Sequence, residues 1–505
     1  LVSGNFYTKE LFFCALSGCA GQFDAGELLI LRLIKMDVLL INPPYNLKQS
    51  MGKLAGIVPT TIPMGLAYIA ANLLKHGYSV EILDAQVHRV DFNSLREKIR
   101  KEKPCIVGLT ATTPTIHSAL HVAALVKKIS PVPVVLGGCH PSFMPNEIIL
   151  NKSIDIVVRG EAEQIVVDLV KAIKNNKSLR NVKGITFKEG KKIVSNKPAE
   201  FVENLDELPM PARELLPLDK YRPQLDMAIR MPLREIMTAR GCPFNCFFCG
   251  ARYITGRKYR YNSTERVMQE IGLLIEKYGA RQLLFLDDNF VVKRERTAEI
   301  CNAMIERGFN RKVLWSCESR VDGVTPELLK LMHKAGCRII SYGIETASQR
   351  LLDLMKKDIT VEQVRNAVAW AKQAKLQCRA TFMLGLPTET RQDSLATIQF
   401  AKQLGIDRAK FSLATPYPGT EFYEMARRQL KGRDWTEYNV MSGFTENDVL
   451  FVPEGRTAAE LQQLQRKAMR EFYLRPKIIF KLLAGIRSTR QVRDYLLSAK
   501  VLLSS

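Results

Sequence analysis

Short apolar runs separated by longer segments of helical period are what most constrain this chain. From Asp37, "DVLLIN" ends at Pro43 and Pro44, "MGLAYIAANLLKHG" has helical spacing and stops at Gly77, and "SVEILDA" is again a short run. The alternation continues through "CIVGLTA", "VPVVLGG" and "IDIVVRG" as strands, with "LREKIRKE", "HSALHVAALVKKI" and "AEQIVVDLVKAIKNN" as helices. Five strands with helical crossovers predict an α/β, Rossmann-like doubly wound parallel sheet over 36–181. Such a sheet binds ligands at the carboxyl ends of its strands, here the loops "NPPYN", "TATTPT" and "GGCHPS".

Residues 182–234 read as a linker, with the hairpin-like "GITFKEGKKIVS" and the proline-punctuated "LDELPMPARELLPLDKYRP". A second block, 235–431, has the strands "REIMTA", "QLLFLDD", "VLWSCES", "RIISYGIET", "RATFMLGLP" and "AKFSLATPYP". Helical segments such as "TERVMQEIGLLIEKYG" lie between them. Six β/α units predict a partial or closed TIM-type barrel, with its chemistry at the carboxyl ends of the strands. Residues 432–505 read as a basic helical region packed on the barrel, with peripheral membrane contact as a further role. Leu1 to Lys35 carry neither a secretory pattern nor an initiating methionine, so Met36 is the expected start of the folded unit.

A length of 505 residues exceeds what one core supports, and 46% apolar residues are ordinary for a globular protein. The longest apolar candidate for a membrane span, "ELLILRLIKMDVLLINPP", is broken by Arg32, Lys35 and Asp37, so the expected location is the cytoplasm. The net charge of +23 is dispersed, densest after Gly455, and nucleic acid is not an expected partner. Eleven cysteines without an export signal or regular framework predict reduced thiols. Cys105, Cys139, Cys337 and Cys378 flank apolar strands, where a buried thiol is the expectation.

The exception is "ARGCPFNCFFCGAR", where Cys242, Cys246 and Cys249 stand in a C-x3-C-x2-C spacing. A structural zinc site takes four ligands in pairs, and no fourth Cys or His is near; the next cysteine downstream is Cys301. Three thiolates instead suit a cluster of four irons that leaves one iron open to a small molecule. With an aromatic residue, Phe248, before the last cysteine, the motif resembles the signature of the radical S-adenosylmethionine superfamily.

That resemblance implies a [4Fe-4S] cluster on Cys242, Cys246 and Cys249, S-adenosylmethionine on the open iron, and reductive cleavage to a 5'-deoxyadenosyl radical. It implies Asp287 and Asp288 of "LFLDDNF" as acceptors for the ammonium group of the cofactor. Arg320 would meet its carboxylate and Glu345 its ribose, while Gly385 and Pro387 stand where the adenine motif falls.

A doubly wound domain before such a barrel resembles the cobalamin-binding branch of the superfamily. The usual D-x-H-x-x-G is replaced by "NPPYN", so cobalt would lack that lower histidine. Thr110, Thr112 and Thr113, with Gly137, Gly138, Gly160 and Glu161, fit the pocket for the nucleotide tail. His140 is expected to bond a loop, and His117 and His121 to share a helix face. The function implied is methylation of an unactivated carbon of a small-molecule, tetrapyrrole or lipid substrate. An electron donor such as flavodoxin or ferredoxin would be needed. The anaerobic magnesium-protoporphyrin monomethyl ester cyclases share the domain order and supply an alternative. A radical RNA-modifying enzyme is a rival suggested by charge, and a cobalamin or iron-sulfur sensor without turnover is another.

Overall fold

The computed structural model describes residues 36–45, 59–88, 90–223, 227–438, 449–486 and 489–504. The extension 1–35 and Asn46 of "NPPYN" lie outside them. The first sheet is ordered β2-β1-β3-β4-β5-β6-β7. Its parallel strands are β1 (Val38–Asn42), β2 (Val80–Asp84), β3 (Ile106–Thr110), β4 (Val134–Gly137) and β5 (Ile156–Val158). Both faces are covered, which is why these strands read as unbroken apolar runs. Val38 and Leu40 pack with helices Met64–Lys75 and Glu163–Lys174, whereas Leu39 and Ile41 pack with Phe92–Glu102 and Ile116–Ile129. Each fully buried leucine or isoleucine contributes about 1.5–3 kcal/mol.

One boundary is corrected. The hairpin β6 (Ile185–Glu189) and β7 (Lys192–Ser195) does not belong to a linker: β6 pairs antiparallel with β5 and extends the first sheet. Phe187 is buried in that domain's core, which is the apolar gain that holds the hairpin there. The crossing segment begins only after it. It is pinned at Arg213, whose guanidinium donates to Glu270 at 2.6 Å and to the Glu235 carbonyl at 2.8 Å, and at Tyr221, which donates to Asp84 at 2.9 Å.

The second sheet is fully parallel and ordered β15-β14-β13-β12-β11-β8, open between its two ends. Its strands are β8 (Leu233–Ile236), β11 (Gln282–Phe285), β12 (Leu314–Ser319), β13 (Cys337–Glu345), β14 (Gln377–Leu384) and β15 (Arg408–Leu413). Residues 233 and 234 thus already form the first barrel strand. A short antiparallel ribbon, β9 (Ala239–Arg240) with β10 (Arg260–Tyr261), frames the cysteine loop. The crossover helices begin at explicit caps, with side chains of Ser263, Thr325, Thr360 and Thr390 accepting from helical N–H groups. Helix Ala458–Tyr473 completes the barrel core with Leu461, Leu464, Ala468 and Phe472, and Gln465 donates to the Phe411 carbonyl at 3.0 Å. The two last helices, Pro476–Ala484 and Thr489–Ser504, follow it.

Candidate active site

Strand β8 and ribbon strand β9 deliver the cysteine loop to the carboxyl end of the barrel. Cys242, Cys246 and Cys249 are all half-buried and free of disulfides. Cys242 N–H donates to the Gly256 carbonyl at 3.1 Å and Cys249 N–H to the Cys246 carbonyl at 3.2 Å, so backbone bonds shape the loop. Burial pushes the Cys242 thiol up and the Cys249 thiol up to about 11, so both are protonated at neutral pH until a metal replaces the proton. Phe247 anchors the loop, buried against Phe422 with ring centroids 5.1 Å apart. Phe248, between the last two cysteines, is half-buried.

Among the described residues, no three His, Cys, Asp or Glu side chains gather about a single-ion position. Three half-buried thiols on one loop are a donor set that suits a cluster of four irons with one iron left open.

Arg320, after β12, faces this loop. Its guanidinium lies 3.6 Å from the Phe244 ring centroid, and Nη1 reaches Cys246 Sγ at 3.8 Å. The other nitrogens are clamped: Nε and Nη2 donate to Asp322 at 2.9 and 2.8 Å, and Nη2 donates to the Lys357 carbonyl at 2.6 Å. Glu345, at the end of β13, is buried with φ +71°, beside a register shift against β14. A left-handed non-glycine residue at a strand end marks a side chain aimed by its surroundings. Those surroundings are Lys357, whose ammonium donates to Glu345 at 2.7 Å. Lys357 was not visible in the sequence as a site residue; it touches both Arg320 and Glu345.

The two aspartates after β11 have opposite fates. Asp287 is buried, and its carboxylate accepts from Thr238 N–H at 2.6 Å, Thr238 Oγ at 2.5 Å and Ala239 N–H at 3.1 Å. It therefore ties β9 to the barrel and is not available as an acceptor for the ammonium group, which corrects that expectation. Asp288 is exposed next to the cysteine loop, and its charge acts on Cys139, Cys242 and Cys249. Surrounding protein, with Asp287 and Glu318, pushes its carboxyl up to about 6, an environment that a ligand cation would relieve.

Gly385, with φ +83°, makes the turn after β14; a Cβ there would stand 3.1 Å from Leu461 Cδ1. The positive φ of the turn requires the glycine, and a Cβ would in addition press on the Leu461 side chain. Pro387 is buried in the same loop. Beneath them Glu389 accepts from Leu386 N–H at 2.7 Å and from the Ser394 hydroxyl, and burial pushes its carboxyl up to about 7. The folded state therefore binds this proton more tightly than the unfolded chain. Stability is greatest below the ordinary glutamate value, falls as pH rises to about 7, and is level beyond. At 1.36 kcal/mol per pKa unit the fall is about 3 kcal/mol. In urea melts at about pH 4.5 and about pH 8, the Glu389→Gln variant is expected to lose that much less stability than wild type across the window. Identical pH slopes would sink the assignment.

A cavity of about 250 Å³ runs along the face of the first sheet under helices Met64–Lys75 and Glu163–Lys174, and reaches the cysteine domain at Met237, Arg240 and Thr255. Thr110, Gly137, Gly138, Gly160 and Glu161 are among its lining residues. Its lining forms a slot between the apolar walls Leu40 and Val135, with Gly108 and Gly137 on its floor. Leu40 already packs over Gly108, where a Cβ would stand 2.8 Å from its Cδ2, whereas a Cβ at Gly137 would meet Val158 only at 3.7 Å. An apolar slot with glycine on its floor suits a flat aromatic base such as the nucleotide tail of cobalamin.

Three details differ from expectation. Thr112 is exposed and its N–H and hydroxyl bond Thr115 at 2.9 and 3.1 Å, so it caps the next turn and does not line the slot. Gly138 has φ +103°, and a Cβ there would meet the Ala111 carbonyl at 2.5 Å, so backbone crossing, not the ligand, demands the glycine. Glu161 lines the slot, and its carboxylate accepts a bidentate bond from Arg260 at 2.6 and 2.9 Å, a partner that the sequence did not reveal. His140 is buried; its Nδ1 lies 3.2 Å from Thr113 Oγ, it packs against Trp435, and burial lowers its pKa to about 4. Cys139 is exposed, against the expectation of burial, while Cys337 and Cys378 are buried. His117 pairs with Asp434 and His121 stacks on Phe92, so they share no ligand.

A Radical SAM superfamily model matches residues 236–401, and a B12 binding domain model matches residues 54–170. A protein of Pyrococcus horikoshii, described as an uncharacterized methyltransferase, is 37% identical over 451 residues, covering 88% of this chain and 94% of its own. The anaerobic magnesium-protoporphyrin IX monomethyl ester cyclase of Cereibacter sphaeroides is 32% identical over 448 residues, 87% of this chain and 71% of its own. Among solved structures, the cobalamin-dependent S-adenosylmethionine radical enzyme OxsB superposes with a TM-score of 0.68 at 17% identity, covering 97% of this chain and 75% of that one. The methyltransferase TsrM of Kitasatospora setae gives 0.67 at 21% identity, with coverage of 79% and 77%. With both domain models in order and a relative more than one third identical across most of its length, the chain belongs to the cobalamin-binding radical S-adenosylmethionine enzymes.

Proposed function

We propose that the protein is a radical methyltransferase acting on a carbon of a small organic substrate, and that its cleft holds a [4Fe-4S] cluster, S-adenosylmethionine and cobalamin. The observation that carries this reading is the cavity that joins the glycine-floored slot of the first domain to the cysteine domain at Met237, Arg240 and Thr255. When bound, these groups supply radical generation and a transferable methyl group. The chain's own residues bind and orient. Cys242, Cys246 and Cys249 hold the cluster once deprotonated. Asp288 receives the cofactor ammonium, and the Arg320 Nη1 edge, the one not clamped by oxygen, faces its carboxylate. Glu345, held by Lys357, is the acceptor for the ribose hydroxyls. Leu40, Gly108 and Val135 shape the slot for the cobalamin tail. The reducing electron comes from a flavodoxin- or ferredoxin-type donor.

The test is anaerobic incubation of the reconstituted protein with cobalamin, reductant and methyl-labelled S-adenosylmethionine. Label is expected on cobalamin in wild type. A bulky side chain at Gly137, as in Gly137→Leu, has room at its Cβ, extends into the slot and is expected to lower cobalamin affinity by about tenfold or more, while deoxyadenosine formation persists. Equal cobalamin affinity in the two proteins would reject the slot. The Cereibacter relative favours a second reading, oxidative cyclisation of a tetrapyrrole ester. With such a substrate that reading gives a product with a new ring and no label.

A further inference from the structure

The two last helices carry an apolar surface that the fold does not use. On Pro476–Ala484, Ile478 is buried against the barrel core, whereas Ile479, Phe480 and Leu483 are exposed, Phe480 by 73%. On Thr489–Ser504, Val501 is buried, whereas Val492, Leu496 and Leu503 are exposed, the last two by 66% and 68%. Both helices pack on Ala458–Tyr473, and Arg470 donates to the Leu502 carbonyl at 2.9 Å. Of the fifteen exposed large apolar side chains among the described residues, eight fall within 474–503, a concentration on this segment beyond ordinary surface scatter.

Charge decides what covers it. Residues 474–505 hold seven Lys and Arg against one acidic residue, Asp494, which is buried. Lys477 and Lys500 are exposed and stand one turn from Phe480 and from Leu496 and Leu503. Lysine is depleted in protein interfaces, and a second copy would bring like charges together. Lysines interleaved with leucine and phenylalanine on a short helix are the pattern of an interfacial segment, whose stems lie along apolar surface while the ammonium groups reach headgroups. No helix among the described residues is long and apolar enough to cross a membrane, so contact is with the surface.

We propose that helices Pro476–Ala484 and Thr489–Ser504 dock the protein on an anionic bilayer, with the exposed leucines and Phe480 entering the acyl boundary. This is independent of the cofactor chemistry. The experiment is flotation of the full chain with vesicles of phosphatidylcholine alone or with about one third phosphatidylglycerol, at low and high salt. Flotation is expected with the anionic vesicles and weakens with salt. The double variant Phe480→Asp, Leu483→Asp is expected to partition at least about tenfold more weakly. Leu150→Asp, which removes an apolar group 68% exposed outside this patch, is expected to leave partition unchanged. Unchanged melting of the variants shows that folding is intact. Equal flotation with neutral vesicles, flotation with neither composition, or a dimer that the double variant dissolves would each overturn the proposal.

Discussion

Alanine at Cys246 is expected to reduce S-adenosylmethionine cleavage by more than about 100-fold while leaving the melting behaviour nearly unchanged. Loss of a hydrogen bond that merely supports a metal ligand costs about 10–100-fold in affinity or activity, so loss of one ligand of three exceeds that. The side chain is half-buried on a loop held by backbone bonds and by Phe247, so its removal opens no large cavity. Iron content after anaerobic reconstitution and deoxyadenosine yield are the two readouts. Cys105→Ala, at the far end of β3, is the control and is expected to match wild type in both. A Cys246 variant that kept its iron and its turnover would remove the trio from the chemistry altogether.

Much of the architecture was legible because both sheets are covered on two faces, so each strand reads as an apolar run between turn signals. The hairpin β6–β7 was legible as a hairpin, but its attachment to β5 was not: Ile156 meets Phe187 by a pairing that no local pattern encodes. The same limit governs the site. Asp287 and Asp288 are identical neighbours, and only the fold turns one into a clamp for Thr238 and leaves the other exposed next to the cysteine loop. Lys356 and Lys357 are equally alike in sequence. The first pairs on the surface with Glu421, and the second is buried against Glu345. Glu161 reads as the end of a strand until Arg260, far along the chain, is brought to it. Motif spacing reveals chemistry that lies on one loop; it does not reveal partners supplied by another element.

The contact between the two domains yields the other large expected effect. Arg240, on β9, donates to Glu163 at 2.6 Å with both side chains almost wholly buried, and its guanidinium lies 5.0 Å from the Tyr68 ring centroid. Replacing Arg240 by leucine leaves the Glu163 carboxylate buried without its cation, and such a loss costs about 3–5 kcal/mol. Because Arg240 and Glu163 also line the slot under Met64–Lys75, the same variant is expected to bind cobalamin more weakly. Leucine at both positions removes the stranded charge and is expected to recover most of the stability. Urea melts of wild type, Arg240→Leu, Glu163→Leu and the double variant measure the coupling directly. If the double variant stayed as unstable as Arg240→Leu, the arginine would be acting through Tyr68 or through Glu161, 3.7 Å away, and not through Glu163.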